Sequence, residues 1–213
     1  MKIFIFRTLA SFTITLLILL PFAGCAGQPS DDNPSQNTTT DGRTTSLQAE
    51  NTLKIVIYTD FECGACYMLH SEIEPELRER YIATGRAEID IRLLGVIDAD
   101  SLRGAEAALC AADQGYLLEY IDALFGAWRE TEDANVFSAE ALIALAGSLG
   151  LDQEIFRQSL ESGSKKPELE NNLMMAKADG VEVLPAIIIN GTKIEGYKPL
   201  DTYARIIDEA LEN

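Results

Sequence analysis

Cys63 and Cys66 stand three residues apart in the run Cys63-Gly64-Ala65-Cys66, a spacing that lets two sulfurs close as a disulfide or open as a dithiol. The run follows a β-branched segment, Leu53-Lys-Ile-Val-Ile-Tyr-Thr59, and opens a stretch of helical spacing. At a helix N-terminus, unpaired amide N–H groups and the positive end of the dipole stabilise an anion. Cys63, in the first turn, is expected to be partly thiolate below the ~8.5 of a free thiol. Cys66, one turn further in, is expected to be less accessible and less acidic. One sulfur attacks and its neighbour resolves the mixed disulfide.

Three other uses of the pair compete with this one. A structural disulfide of this spacing closes so short a loop that it adds little stability. A zinc site needs about four ligands, and Cys110 and His70 are the remaining plausible donors. Two inert core cysteines fit a helix start poorly. The redox dithiol uses both the spacing and the placement, so no metal is expected and no cofactor beyond the dithiol itself. Cys110, among alanines and leucines, reads as a buried small hydrophobe. His70 reads as a surface or partly buried helical residue, and Met174-Met175 as core packing.

The elements that must hold these sulfurs follow from periodicity. Ile55, Val56 and Ile57 are apolar on both faces, as in a central strand. Leu69, Ile73, Leu77 and Tyr81 recur every four residues in an amphipathic helix, which Pro75 should interrupt and kink. Ala87–Leu93 alternates as a half-buried strand. Helical patterns then fill residues 102–115, 116–128, 139–148, 152–163 and 167–179, with Ser138 and Asp152 as N-caps and Gly163 and Gly180 as stops. Residues 185–190 read as a second buried strand. Asn190-Gly191 is a hairpin turn returning through residues 192–195, and Leu200, Tyr203, Ile207 and Leu211 line a closing helix. Strands interleaved with helices make an α/β class with a helical insertion.

At 213 residues, 47% of them apolar, the chain is long enough for one domain with a core. Asp and Glu outnumber Lys and Arg by 34 to 17, a net charge of −17. Such a surface repels phosphate backbones, so no nucleic-acid partner is expected.

The N-terminus differs in kind. Lys2 and Arg7 are its only charges before an uncharged, Leu/Ile-rich run over residues 8–20, the length of a signal peptide and short for a permanent span. Phe22-Ala23-Gly24-Cys25 resembles the lipobox of bacterial lipoproteins, with Phe22 where Leu is usual. The resemblance implies a lipoprotein signal peptide over residues 1–25, lipid attachment at Cys25, and an extracytoplasmic protein anchored to a bacterial membrane. Residues 26–51 have too little hydrophobicity to repay ordering and read as a disordered linker.

Asp60-Phe61-Glu62-Cys63-Gly64-Ala65-Cys66 after a buried strand resembles the active site of DsbA-like thiol-disulfide oxidoreductases of the thioredoxin superfamily. The stretch Ala105-Glu-Ala-Ala-Leu-Cys-Ala-Ala-Asp-Gln-Gly115, with Tyr120-Ile-Asp-Ala-Leu-Phe125, resembles that family's helical insertion. Gly180-Val-Glu-Val-Leu-Pro-Ala186 resembles its cis-proline loop. The resemblance implies, for residues 52–213, a thioredoxin fold with an inserted helical domain at about residues 98–165. It further implies a cis Pro185 facing the sulfurs and Leu184 offering backbone groups to a substrate strand. It implies exchange of the Cys63–Cys66 disulfide with thiols of reduced secreted proteins or peptides, as an oxidase. Recycling would fall to a quinone-linked membrane partner of the DsbB or VKOR type.

Two departures bear on chemistry. Ile57 stands six residues before Cys63, where many relatives keep a buried acid, so proton movement falls to another group; Asp60 and Glu62 are the nearest. Glu62 is also expected to oppose the thiolate on Cys63. Gly64-Ala65 holds neither histidine nor proline, leaving a reductase or isomerase as the alternative direction. A peptide-binding lipoprotein with structural cysteines is the reading from another class.

Overall fold

The computed structural model describes residues 52–131 and 134–212. The signal peptide expected over residues 1–25, with Cys25, and the linker expected over residues 26–51 lie outside the described residues. Four strands, β1 (Leu53–Thr59), β2 (Ala87–Leu93), β3 (Ala186–Ile189) and β4 (Thr192–Glu195), form one sheet in the order β2-β1-β3-β4. β2 runs parallel to β1 with Ile55 opposite Ile89, while β3 is antiparallel to both β1 and β4. The β3–β4 turn has Asn190 at φ 47° and Gly191 at φ 79°, the left-handed pair that a two-residue hairpin requires.

Alternation along β1 sends Ile55 and Ile57 to one face and Val56 and Tyr58 to the other. On the first face they meet Leu69, Ile73, Leu77 and Tyr81 from helix α1 (residues 64–82), and Tyr203 and Ile207 from α7 (Leu200–Leu211). Helix α1 is a continuous run of Gly64–Met68 (α), Leu69–Ile73 (π), Glu74–Leu77 (α) and Arg78–Ile82 (π). An α-helix turns 100° per residue, so a strict four-residue spacing would drift about 40° at each step. The π turns, with bonds such as Glu74 N–H to Leu69 O, widen the helix and keep those four residues on one buried face. The interruption expected at Pro75 takes this form: a π turn precedes it, and Pro75 opens the next α segment, where its missing N–H costs least.

Between β2 and β3 come α2 (Ala99–Ala112), α3 (Leu117–Thr131), a 3-10 turn (Ala134–Phe137), α4 (Ala139–Ser148), α5 (Gln153–Ser162) and α6 (Lys166–Ala178). Ser138 and Asp152 cap α4 and α5, and Gly163 closes α5 in the left-handed region. Asp98 caps α2 four residues before the helical pattern read from residue 102, accepting N–H bonds from Asp100 and Ser101. Helix α6 returns to the sheet, where Ala176 joins Tyr58, Leu94 and Ala186, and Asn172 Nδ2 donates to Leu93 O at 3.1 Å. Met174 is 61% exposed and Met175 lies at the surface, so the expectation that they pack in the core fails. Among the described residues, no helix is long and apolar enough to cross a membrane.

Candidate active site

Cys63 sits where β1 has ended and α1 begins. It is the N-cap of α1, just outside the first turn in which the sequence placed it, with an extended backbone (φ −92°, ψ 105°). Its Sγ accepts the Cys66 N–H at 3.2 Å. The two cysteines form a disulfide with Cα atoms 5.1 Å apart. Cys63 is half-buried and Cys66 is fully buried, so an incoming thiolate meets Cys63 first. Gly64 between them is exposed, and no atom within 4 Å would crowd a Cβ there.

Asp60 holds the loop that enters the site. It is 1% exposed, and three donors occupy its carboxylate: Glu62 N–H on Oδ1 at 3.1 Å, with Val96 N–H at 2.7 Å and Ser101 Oγ at 3.1 Å on Oδ2. This arrangement clamps the active-site loop to the start of α2 and to the exit of β2. Glu62 Oε2 accepts the Ser101 N–H at 3.0 Å. Burial, and then its hydrogen bond to the Asp98 carboxylate, push the Glu62 carboxyl up to about 7. Asp98 is lowered, chiefly by that same bond. Beside Cys63 there is thus a carboxyl that changes charge near neutrality rather than a fixed anion.

His70 and Phe125 join α1 to α3. His70 Nε2 lies 2.7 Å from Asp122 Oδ1 and Nδ1 lies 3.3 Å from Glu74 Oε2, with the ring stacked on Phe125 at 5.0 Å. Phe125 also meets Phe61 at 4.8 Å. The buried Cys110 donates to Ser159 Oγ at 3.2 Å, and burial raises its thiol. Both residues are thus engaged in structural contacts of their own.

The Leu184–Pro185 peptide is cis. Leu184 borders the cluster that contains Phe61 and Cys66 and that Cys63 also borders. Beside it opens a cavity of about 200 Å³ lined by Leu94, Val96, Leu173, Ala176 and Leu184.

A strand leading into an N-cap cysteine, a buried second sulfur and a cis Leu184–Pro185 peptide whose Leu184 borders the same cluster match a known arrangement. The thioredoxin family model matches residues 46–209. The chain belongs to the thioredoxin family. Relatives include a Rickettsia prowazekii protein named as a protein-disulfide oxidoreductase, 26% identical over 160 residues, covering 75% of this chain and 58% of that one. The chain thus spans a little over half the length of that relative. A Bacillus anthracis protein named disulfide bond formation protein D is 24% identical over 163 residues, covering 75% and 74%. Among solved structures, oxidised BdbD of Bacillus subtilis superposes with a TM-score of 0.70 at 18% identity, covering 78% and 90%. Wolbachia pipientis α-DsbA1 does so at 0.67 and 22%, covering 76% and 87%. The fold is therefore the DsbA-like form of this family: an α/β thioredoxin fold interrupted by helices.

Sequence reasoning missed Ser101, Asp98 and Glu195. Asp98 carried a legible N-cap pattern. Ser101 and Glu195 carried none, because their partners are 41 and 13 residues away along the chain.

Proposed function

We propose that this protein is an extracytoplasmic thiol–disulfide oxidoreductase that oxidises secreted polypeptides with its Cys63–Cys66 disulfide. The observation that carries this reading is the division of labour between the sulfurs. Cys63 is accessible and receives an N–H at a helix start, whereas Cys66 is enclosed. A substrate thiolate attacks Cys63 Sγ, the Cys63–Cys66 bond breaks, and Cys66 leaves as a thiolate that takes up a proton. A second substrate thiolate then attacks the substrate sulfur of the mixed disulfide. Cys63 departs as a thiolate, which the helix N-terminus stabilises. The substrate loses two electrons and the protein gains them. A quinone-linked membrane partner of the DsbB or VKOR type removes them, and lipid on Cys25 keeps the domain near that partner. Leu184 offers its backbone to an extended substrate strand, and Pro185 shapes the turn that presents it. The names of the Rickettsia and Bacillus relatives support the same activity.

The absence of histidine or proline between the sulfurs, in Gly64-Ala65, favours the opposite direction as a second reading, a reductase or isomerase. One experiment addresses both. Oxidised protein is mixed with a reduced two-cysteine peptide in defined glutathione buffers, and the peptide disulfide is measured at equilibrium. Stoichiometric peptide oxidation, lost in Cys63→Ser, is expected. A reduction potential near or below the ~−270 mV of thioredoxin would overturn the oxidase direction. No exchange in any buffer would overturn the activity itself.

A further inference from the structure

The loop between α6 and β3 is held from outside the sheet by the edge strand β4. Glu195 Oε1 accepts the Glu182 N–H at 2.6 Å and the Val183 N–H at 3.3 Å. Lys193 Nζ lies 3.2 Å from the same oxygen and donates to Gly180 O. Gly196 N–H donates to Pro185 O at 2.8 Å. Period-2 alternation explains how one short strand does this. Ile194 turns into the core, 7% exposed, and sends Lys193 and Glu195 together to the opposite side. The attachments bracket Leu184, with Val183 fixed before it and Pro185 fixed after it.

We infer that Glu195 is a positioning residue for the exchange site, orienting the Leu184–Pro185 segment so that an extended polypeptide can pair beside Cys63. The inference rests on the proposed activity and deepens it, because it assigns a residue to polypeptide binding separately from sulfur chemistry. A surface ion pair with Lys193 alone would be worth little. Charge-assisted bonds to two successive backbone donors order the chain itself. The Glu182 N–H, followed by the Val183 N–H and Lys193, holds the Glu195 carboxyl below its usual range, as expected of a group kept ionised by its partners. Without it, residues 182–184 must be ordered by the substrate at the moment of binding.

The test compares Glu195→Ala and Glu195→Gln with wild type, using a reduced extended peptide bearing two cysteines and dithiothreitol, which is too small to pair with a strand, each with glutathione disulfide supplied to reoxidise the Cys63–Cys66 pair and the uncatalysed rate subtracted. For Glu195→Ala, KM for the peptide should rise about tenfold, the equivalent of ~1.4 kcal/mol of ordering, with kcat and the dithiothreitol rate within about twofold of wild type. Glu195→Gln keeps a carbonyl acceptor for the loop and should fall between the two. Equal losses with peptide and dithiothreitol would mean a structural role only and overturn the inference. An unchanged KM in an active protein would overturn it as well, leaving the proposed activity standing. A wild type inactive on both substrates would overturn that activity and this inference together.

Discussion

The hydrogen bond between the Glu62 and Asp98 carboxyls, beside the first turn of α2, ties stability to pH. An unfolded glutamate titrates near 4.3, whereas Glu62 in the fold is pushed up to about 7 by burial and by Asp98. A raised acid contributes stability that is fully present below its unfolded value and is lost as pH rises through its folded one. Asp98, lowered by the same bond, acts in the opposite sense: its contribution is present above its unfolded value and lost as pH falls. Glu62→Gln keeps the neutral shape and removes the titration. Its melting temperature minus that of wild type should therefore increase from pH 5 to pH 8. A pH-independent difference would mean that the fold does not raise the Glu62 carboxyl at all. The residue beside Cys63 was legible as chemistry, since Glu62 adjoins that cysteine in sequence. Its neutralisation was not, because Asp98 and Ser101 reach it only through the fold.

Elements whose period matches their environment were readable. β1, β3, the Asn190-Gly191 turn and α7 follow from alternation, a left-handed turn pair and 3.6-residue spacing, and the structure places them accordingly. α1 was readable as helix but not as π-widened helix, because four-residue spacing resembles an imperfect α pattern until the common buried face is seen. α6 misled at Met174 because its inward face, at Leu169, Asn172 and Ala176, is set by its approach to the sheet. The seam between α1 and α3 gives a prediction at this scale. Burial works against charge on His70, but the carboxylates of Glu74 and Asp122 outweigh it and raise the imidazole above its ordinary 6.5. Its contribution is therefore present below 6.5 and is lost as pH rises through the folded value. His70→Leu should cost about 1.5 kcal/mol more at pH 5.5 than at pH 8.5 in urea titrations, the scale of a charge-assisted hydrogen bond. Equal costs at both values would show that the ring acts only by stacking on Phe125.

The inserted helices and the thioredoxin unit share one cluster, in which Phe61 and Cys66 from the site pack with Phe125 and Phe137 from the insertion. Gly104 on α2 permits that approach. A Cβ there would lie 2.9 Å from Phe137 Cε1 and 3.2 Å from Phe61 Cδ2. Both rings are fully buried, and Arg103 Nη1 donates to Phe137 O at 2.9 Å, so neither has room to retreat. Two effects then compete in Gly104→Ala. Alanine favours the helix by about 1 kcal/mol over glycine, while overpacking a closed core costs about 1–3 kcal/mol. Packing should win, lowering stability. Gly126 on α3 separates the two effects, because a Cβ there meets nothing within 4 Å and only the helix preference remains. Gly126→Ala should therefore raise the melting temperature by about 2–4 °C for each kcal/mol gained. Gly104→Ala should lower it and also alter the rate at which Cys63 in the reduced protein is alkylated, since Phe61 lies two residues from that sulfur. If both alanines stabilise equally, the insertion is not packed tightly against the site loop, and the two parts of the molecule are joined more loosely than this shared core requires.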